Sequence, residues 1–111
     1  MVRYVPSKGD LVTLNFDPQS GHEQKGRRPA LITSNKTFNS HLGLAFACPI
    51  TSTKRGSPFH IYIESKNISG YIMSEQLKSI DFRSRKVKFI EKASDELVAE
   101  VDAIIKAIVE K

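Results

Sequence analysis

Apolar and polar positions alternate along two stretches of the chain, as they do in a strand with one covered face. One is DLVTLNFD at 10–17, where the alternation predicts a strand covered mainly on one side. The other is PFHIYIE at 58–64. Here the residues predicted to face inward are Phe59, Ile61 and Ile63, and those predicted to face outward are His60, Tyr62 and Glu64.

Shorter signals predict four further strands. RPALITS at 28–34 predicts a strand that begins at Pro29, a position where proline is tolerated. LGLAFACPIT at 42–51 is continuously apolar and predicts a buried central strand. GYIM at 70–73 and KVKFIE at 86–91 predict two short strands joined through SEQLKSIDFRSR.

Helical signals occur at two places. NKTFNSHLG at 35–43 predicts a turn of helix around 37–41 that ends at Gly43. SDELVAEVDAIIKAIVEK at 94–111 predicts a longer helix with Ser94 as N-cap and acidic residues in its first turn. Its apolar stripe is formed by Leu97, Val101, Ile104, Ile105 and Ile108.

Short strands at close spacing followed by one helix indicate a mainly β fold. We expect a compact, strongly bent antiparallel sheet or small barrel with a C-terminal α-helix. The chain has 111 residues, enough for one domain with one modest core, so we assign 1–111 to a single domain.

The distribution of charge is more informative than the net charge of +5. Residues 1–90 contain 14 Lys and Arg against 6 Asp and Glu, whereas residues 91–111 contain 3 against 6. A basic lobe of this kind favours a polyanion such as nucleic acid over an acidic protein surface, although a merely solvated basic surface fits the charge equally well.

Several classes of protein are disfavoured by what the sequence lacks. No apolar run approaches the roughly 20 residues of a membrane span, and the start MVRYVPSKGD has no signal-peptide core, so we expect a cytoplasmic protein without membrane contact. Cys48 stands alone in an apolar segment and predicts a buried free thiol. The three histidines are scattered, and no phosphate loop or serine elbow occurs, so we expect neither metal nor cofactor.

The loop GHEQKG and the residues after it hold the candidate chemistry. Arg28 directly precedes an apolar strand that would fix its backbone, and a guanidinium held in this way can grip two oxygens of a phosphate. An ordinary surface ion pair of Arg28 with Glu23 or Asp17 explains the pattern equally well. Thr51, Ser52 and Thr53 lie where the buried strand leaves the core, and we expect their hydroxyls to line a cleft, although Thr51 also fits a simple β-forming residue.

Five segments in order resemble the MazF/PemK family of type II toxins. They are GDLVTLNFDPQSGHEQKGRRPALI, FNSHLG, CPITS, PFHIYI and GYIMSEQLKSIDFRSR. The resemblance extends from about residue 10 to residue 85 without a large gap. It implies an SH3-like barrel of the CcdB/MazF/PemK kind, a homodimer, and a ribosome-independent, sequence-specific endoribonuclease that cleaves single-stranded messenger RNA. A cognate MazE-like antitoxin with an acidic tail is the expected partner.

The resemblance also implies roles for particular residues. Arg28 and Thr51 match the usual catalytic pair, and His22 and Glu23 match loop residues implicated in cleavage or RNA contact. Glu75 stands where many relatives have Asp, while Met73 replaces an arginine of the PemK branch, whose role therefore does not carry over. The predicted RNA contacts are Asn15, Gln24, Arg27, Ser52, Lys54, Arg55, Glu75, Gln76, Lys78 and Arg83. Tyr62, Tyr71 and Phe82 are possible stacking groups, although core packing fits two of the three better.

RNA carries its own nucleophile, the 2′-hydroxyl, so an enzyme without metal needs a base, an acid and a cation for the phosphorane charge. Arg28 suits the cation, and either His22 or Glu23 suits proton transfer. We expect 2′,3′-cyclic phosphate and 5′-hydroxyl ends. Two alternatives stay open: a non-catalytic CcdB-like toxin that acts on a protein such as gyrase, and a nucleic-acid-binding barrel that has lost its cleavage chemistry.

Overall fold

The computed structural model describes residues 3–16 and 27–111. Within them lie seven strands, two α-helices and a 3-10 turn at Ser74–Gln76. The strands are β1 (Asp10–Asn15), β2 (Arg27–Ile32), β3 (Leu44–Thr51), β4 (His60–Glu64), β5 (Ser69–Met73), β6 (Lys78–Asp81) and β7 (Lys88–Lys92). The helices are α1 (Lys36–Leu42) and α2 (Asp95–Val109).

The strands form one antiparallel sheet in the order β4-β5-β3-β2-β1-β7, with β6 also paired to β3. The predicted central strand is confirmed, because β3 pairs with β2 on one edge and with two strands on the other. Its first half pairs with β6, and Ile50 and Thr51 pair with β5. Because β3 changes partner along its length, the sheet bends strongly and forms a half-barrel, which is followed by a C-terminal helix. This architecture confirms the predicted fold class.

Strand β1 and its partner β2 contribute buried residues to two cores, one on each face of the sheet. Leu11 and its cross-strand partner Leu31 belong to a core that includes Val101 of α2, whereas the neighbouring pair Val12 and Ala30 belongs to a second core on the opposite face. The segment 10–17 was predicted to be covered mainly on one face. Within its described part, Val12 and Leu14 are buried on that face, and Leu11 is buried on the other face as well, where Thr13 and Asn15 stay partly exposed. A bent sheet folds over its own second face, which local alternation does not reveal.

The ends of the elements agree with their sequence signals. The Ser94 side chain accepts a hydrogen bond of 3.2 Å from the Leu97 amide at the start of α2, as predicted for an N-cap. Gly43 ends α1 in the left-handed conformation, with φ of +70°. No helix among the described residues is long and apolar enough to cross a membrane.

Four details differ from the prediction. Strand β2 begins at Arg27 rather than Pro29, because pairing with β1 starts before pairing with β3. Phe59 precedes β4 and is exposed instead of inward. Strand β6 was not predicted, since Ile80 is its only buried residue. At the end of the α2 stripe, Ile108 is exposed.

Candidate functional site

The C-terminal end of β3 and the N-terminal end of β2 border a cleft of about 450 Å³. We call it the basic cleft. Its lining residues are Arg28, Pro29, Ile50, Thr51, Ser52, Thr53, Arg55 and Ser69. The structure thus brings together the two residues that the sequence proposed as a catalytic pair, together with a second arginine and several hydroxyl groups.

Thr51 is held firmly at the floor of the basic cleft. It is the last residue of β3, pairs with Tyr71 of β5 and is only 8% exposed. Its hydroxyl oxygen accepts a hydrogen bond of 3.2 Å from the backbone amide of Thr53. This bond turns the chain where the strand ends and leaves the hydroxyl hydrogen available for another acceptor.

Gly70 allows β5 to approach the end of β3 closely. A Cβ atom built on Gly70 would lie 2.6 Å from the carbonyl oxygen of Thr51 and 3.1 Å from the side chain of Ile50. Since the nearest of these atoms belongs to the backbone, a side chain at this position would push the two strands apart. The position of Thr51 therefore depends on a glycine on the neighbouring strand.

Arg28 lies on β2 opposite Leu14, and its side chain is exposed. Among residues 3–16 and 27–111, no carboxylate forms an ion pair with it. Glu23 and Asp17, the alternative partners considered from the sequence, lie outside the described residues. Within the described part of the chain, the surroundings of Arg28 are the hydroxyl-rich cleft, an arrangement suited to an oxyanion with several oxygens.

The turn after β3 supplies further polar groups of the cleft. Ser52 and Arg55, both predicted as RNA contacts, line the cleft, and the predicted contact Lys54 is exposed between them. Thr53, whose hydroxyl was predicted to line a cleft with those of Thr51 and Ser52, also lines it, and so does Ser69, which was not predicted. Ser69 is brought there by the pairing of β5 with β3, which the sequence does not reveal.

A second group of predicted RNA contacts surrounds the end of β1 instead of the basic cleft. Arg27 donates hydrogen bonds to the backbone carbonyl and hydroxyl oxygens of Thr13, at 3.2 and 3.1 Å, and to the Asn15 side chain at 3.5 Å.

Three further basic residues lie near the same end of the sheet. Lys78 lies 6.0 Å from the ring centroid of Phe16. Arg85 donates to the backbone carbonyls of Asn15 and Phe16. These contacts engage much of the donor capacity of Arg27 and Arg85 within the protein. Arg83 is exposed above the ring of Phe82, 5.6 Å from its centroid.

Glu75 and Gln76 lie in the exposed 3-10 turn after β5. His60 Nε2 and Glu75 Oε2 are 3.0 Å apart. His60 was predicted to face outward with Tyr62 and Glu64, but its side chain is only 5% exposed because it packs against Glu75. Partial burial alone would raise the pKa of Glu75, but the hydrogen bond with His60 and further hydrogen bonds outweigh this and lower it below the ordinary value. Glu75 is thus ionised and paired near neutral pH.

Three predicted site residues, His22, Glu23 and Gln24, lie outside the described residues. Their roles remain predictions. Among the described residues, no three His, Cys, Asp or Glu side chains come together in an arrangement that could hold a metal ion.

Cys48 is a buried free thiol, as predicted. Its sulfur lies 3.9 Å from the backbone carbonyl oxygen of Ser74, and burial, with a smaller contribution from the negative charge of Glu75, raises its pKa to about 12. A thiol this resistant to ionisation is a poor nucleophile, so Cys48 is part of the core rather than of the site.

Comparison with known proteins agrees with this architecture. Residues 7–109 match the family described as the PemK-like, MazF-like toxin of type II toxin–antitoxin systems. The endoribonuclease toxin MazF of Escherichia coli K12 is 39% identical over 83 residues, which are 75% of each chain. The crystal structure of MazF from Deinococcus radiodurans superposes with a TM-score of 0.86 at 41% identity, covering 96% of this chain and 98% of that one. MazF in a MazE–MazF complex from the same organism superposes with a TM-score of 0.84 at 35% identity, covering 96% and 97%.

Proposed function

Because this chain belongs to the PemK-like, MazF-like toxin family, we propose that it is the toxin of a type II toxin–antitoxin system and an endoribonuclease acting on single-stranded messenger RNA. The observation that carries the proposal is the basic cleft, where Arg28 and Thr51 lie at the ends of adjacent strands with no carboxylate from the described residues among its lining. The two arginines of this site attract the negative charge of a phosphodiester, and no carboxylate among its described lining residues opposes that attraction.

In the proposed reaction the 2′-hydroxyl attacks the adjacent phosphorus, and the bond from phosphorus to the 5′-oxygen breaks. The products are a 2′,3′-cyclic phosphate and a 5′-hydroxyl end. Arg28 neutralises the charge that develops on the equatorial phosphoryl oxygens. The Thr51 hydroxyl donates its hydrogen to one of these oxygens, which can only accept, while its own oxygen accepts from the Thr53 amide.

Proton transfer requires a base for the 2′-hydroxyl and an acid for the departing 5′-oxygen. We assign these roles to His22 and Glu23, because imidazole and carboxylate groups can exchange protons near neutral pH, whereas guanidinium groups stay protonated. All the groups required are then amino-acid side chains. The proposed reaction proceeds without a metal ion.

The partners follow from the same premise. One structure similar to this chain is a MazE–MazF complex, and we propose that a MazE-like antitoxin binds here through an acidic tail that covers the basic cleft. The lobe formed by residues 1–90, with 14 basic against 6 acidic residues, suits such a tail. We also propose a homodimer, which light scattering would measure directly.

The test is a cleavage assay in EDTA with a long single-stranded RNA, followed by mapping of the new ends. The wild-type protein is expected to give discrete cuts with 5′-hydroxyl ends, and Arg28→Ala should be slower by about 10²–10³-fold. Arg3→Ala is the matched control, because Arg3 is also an exposed arginine but lies outside the basic cleft.

Two outcomes would contradict the proposal. Intact RNA that is nevertheless retained by the protein would indicate a nucleic-acid-binding barrel without cleavage chemistry. Intact RNA without binding, together with inhibition of gyrase, would indicate a toxin of the CcdB type.

A further inference from the structure

Two tyrosines continue the row of side chains that begins at Thr51. Thr51 of β3 pairs with Tyr71 of β5, and Tyr71 pairs with Tyr62 of β4. Cross-strand partners in an antiparallel sheet project to the same face, about 5 Å apart. Thr51, Tyr71 and Tyr62 therefore form one row that leads from the basic cleft to the β4 edge of the sheet.

The tyrosine row lies on the face opposite the core that packs against α2. Ile63 and Ile72, the strand neighbours of Tyr62 and Tyr71, are buried in that core. Because strand residues alternate between faces, the two tyrosines project to the other side. Tyr71 is half-buried and Tyr62 is 52% exposed. Phe82, the third stacking candidate, is buried in the second core and is unsuited to the role.

The two rings are held in a defined arrangement. Their centroids are 5.3 Å apart with an interplanar angle of 53°. The hydroxyl of Tyr62 donates a hydrogen bond of 2.8 Å to Glu64, which fixes the outer ring against β4. A large exposed aromatic surface that is already ordered loses little entropy when a flat ligand binds to it.

The charges near the row differ in sign between its two ends. Arg28 and Arg55 line the basic cleft at one end, whereas the carboxylate of Glu64 lies beside Tyr62 at the other. A phosphate is therefore favoured at the cleft and disfavoured at Tyr62. An uncharged, planar group linked to a phosphate fits the arrangement, and a nucleobase has this chemistry.

We propose that Tyr71 and Tyr62 form a stacking platform for a nucleobase next to the phosphate held in the basic cleft. The inference rests on the proposed function, since it places one unpaired base of the RNA substrate on the β4–β5 hairpin. Stacking on a ring tolerates any base but favours purines by their larger area, so the platform would bias which phosphate enters the cleft.

The experiment uses an oligonucleotide of alternating 2-aminopurine and uridine with 2′-O-methyl groups, which cannot be cleaved because the nucleophile is blocked. Stacking on tyrosine is expected to quench 2-aminopurine fluorescence when the wild-type protein binds. Tyr62→Leu and Tyr71→Leu should lose most of this quenching and bind between about fivefold and a hundredfold more weakly. Tyr62→Phe and Tyr71→Phe, which keep the ring, should retain the quenching even if replacing Tyr71 by Leu disturbs folding.

Phe89→Leu is the matched control, because Phe89 is a similarly exposed aromatic residue on β7, at the opposite edge of the sheet. The platform would be overturned if the Leu variants quenched the fluorescence as strongly as the wild type. It would also be overturned if the wild-type protein bound the oligonucleotide without quenching, or did not bind it at all. Because this oligonucleotide is never cut, a protein that quenches but does not cleave RNA would refute the proposed nuclease and leave the platform intact. A protein that cleaves RNA but does not quench the fluorescence would refute the platform and leave the proposed nuclease intact.

Discussion

Arg28 and Thr51 occupy facing positions on β2 and β3, two residues beyond Ala30 and Pro49, where the ladder between these strands ends. Alternate residues of a strand share a face, so both side chains project on the same side of the sheet. Because the ladder stops before reaching them, the strands open there and the two residues line one cleft. Their proximity is thus a consequence of strand register, and four predictions test the chemistry and the packing around it.

Two substitutions of Thr51 distinguish the contribution of its hydroxyl from that of its branched shape. Thr51→Val keeps the branched side chain but loses the oxygen that accepts from the Thr53 amide. We expect RNA cleavage to fall by about 10²-fold and the free energy of unfolding to fall by about 1 kcal/mol. Thr51→Ser should retain most of both. Initial cleavage rates and urea titrations measure the two effects, and a fully active valine variant would exclude the hydroxyl from the reaction.

Gly70→Ala is expected to damage the site without changing a polar group. The added methyl would lie 2.6 Å from the Thr51 carbonyl, so β5 must shift, at a cost of about 1–3 kcal/mol. Activity should fall even at temperatures where the variant is fully folded, because Thr51 moves with its strand. Thermal unfolding and cleavage rates are measured together.

Gly43→Ala serves as the comparison for Gly70→Ala. A Cβ at Gly43 meets nothing within 4 Å but has an unfavourable φ of +70°. It should lose a similar amount of stability while keeping its activity. If the two variants are equally active when folded, the close approach of β5 is irrelevant to the site.

The hydrogen bond between His60 and Glu75 predicts a dependence of stability on pH. Its pKa is lowered in the folded protein, so its carboxylate contributes stability above the ordinary pKa of about 4.3 and loses that contribution as the pH falls through the lowered value. Glu75→Gln should therefore be less stable than wild type at pH 7, and the difference should shrink below about pH 4. Melting temperatures from pH 3 to 7 test this, and a constant difference would contradict it.

Cys48 is expected to be unreactive in the folded protein. Burial raises its pKa to about 12, so almost no thiolate is present at pH 8. Ellman's reagent should react only after unfolding, and Cys48→Ala should leave RNA cleavage unchanged. Rapid labelling of the native protein at pH 8 would show that β3 opens far more readily than its central position suggests.

The amino-acid sequence by itself determined the local elements and the chemistry available to the site. The Ser94 cap, the turn at Gly43 and the apolar run of β3 are consequences of near neighbours along the chain, and the structure agrees with each. Arg28 and Thr51 were identified because their segments resemble a known family. The apolar strand that follows Arg28 also predicted a rigid backbone for that residue.

Only the tertiary structure decided which of these residues meet. The pairing of β3 with β5 brings Ser69 into the cleft and aligns Tyr71 and Tyr62 with Thr51, although the segments are far apart in sequence. The bend that covers both faces of β1, and the contact that buries His60 against Glu75, arise in the same way. Alternation along a strand fixes which residues share a face, but register and bending are set by contacts between distant segments, which no local pattern contains.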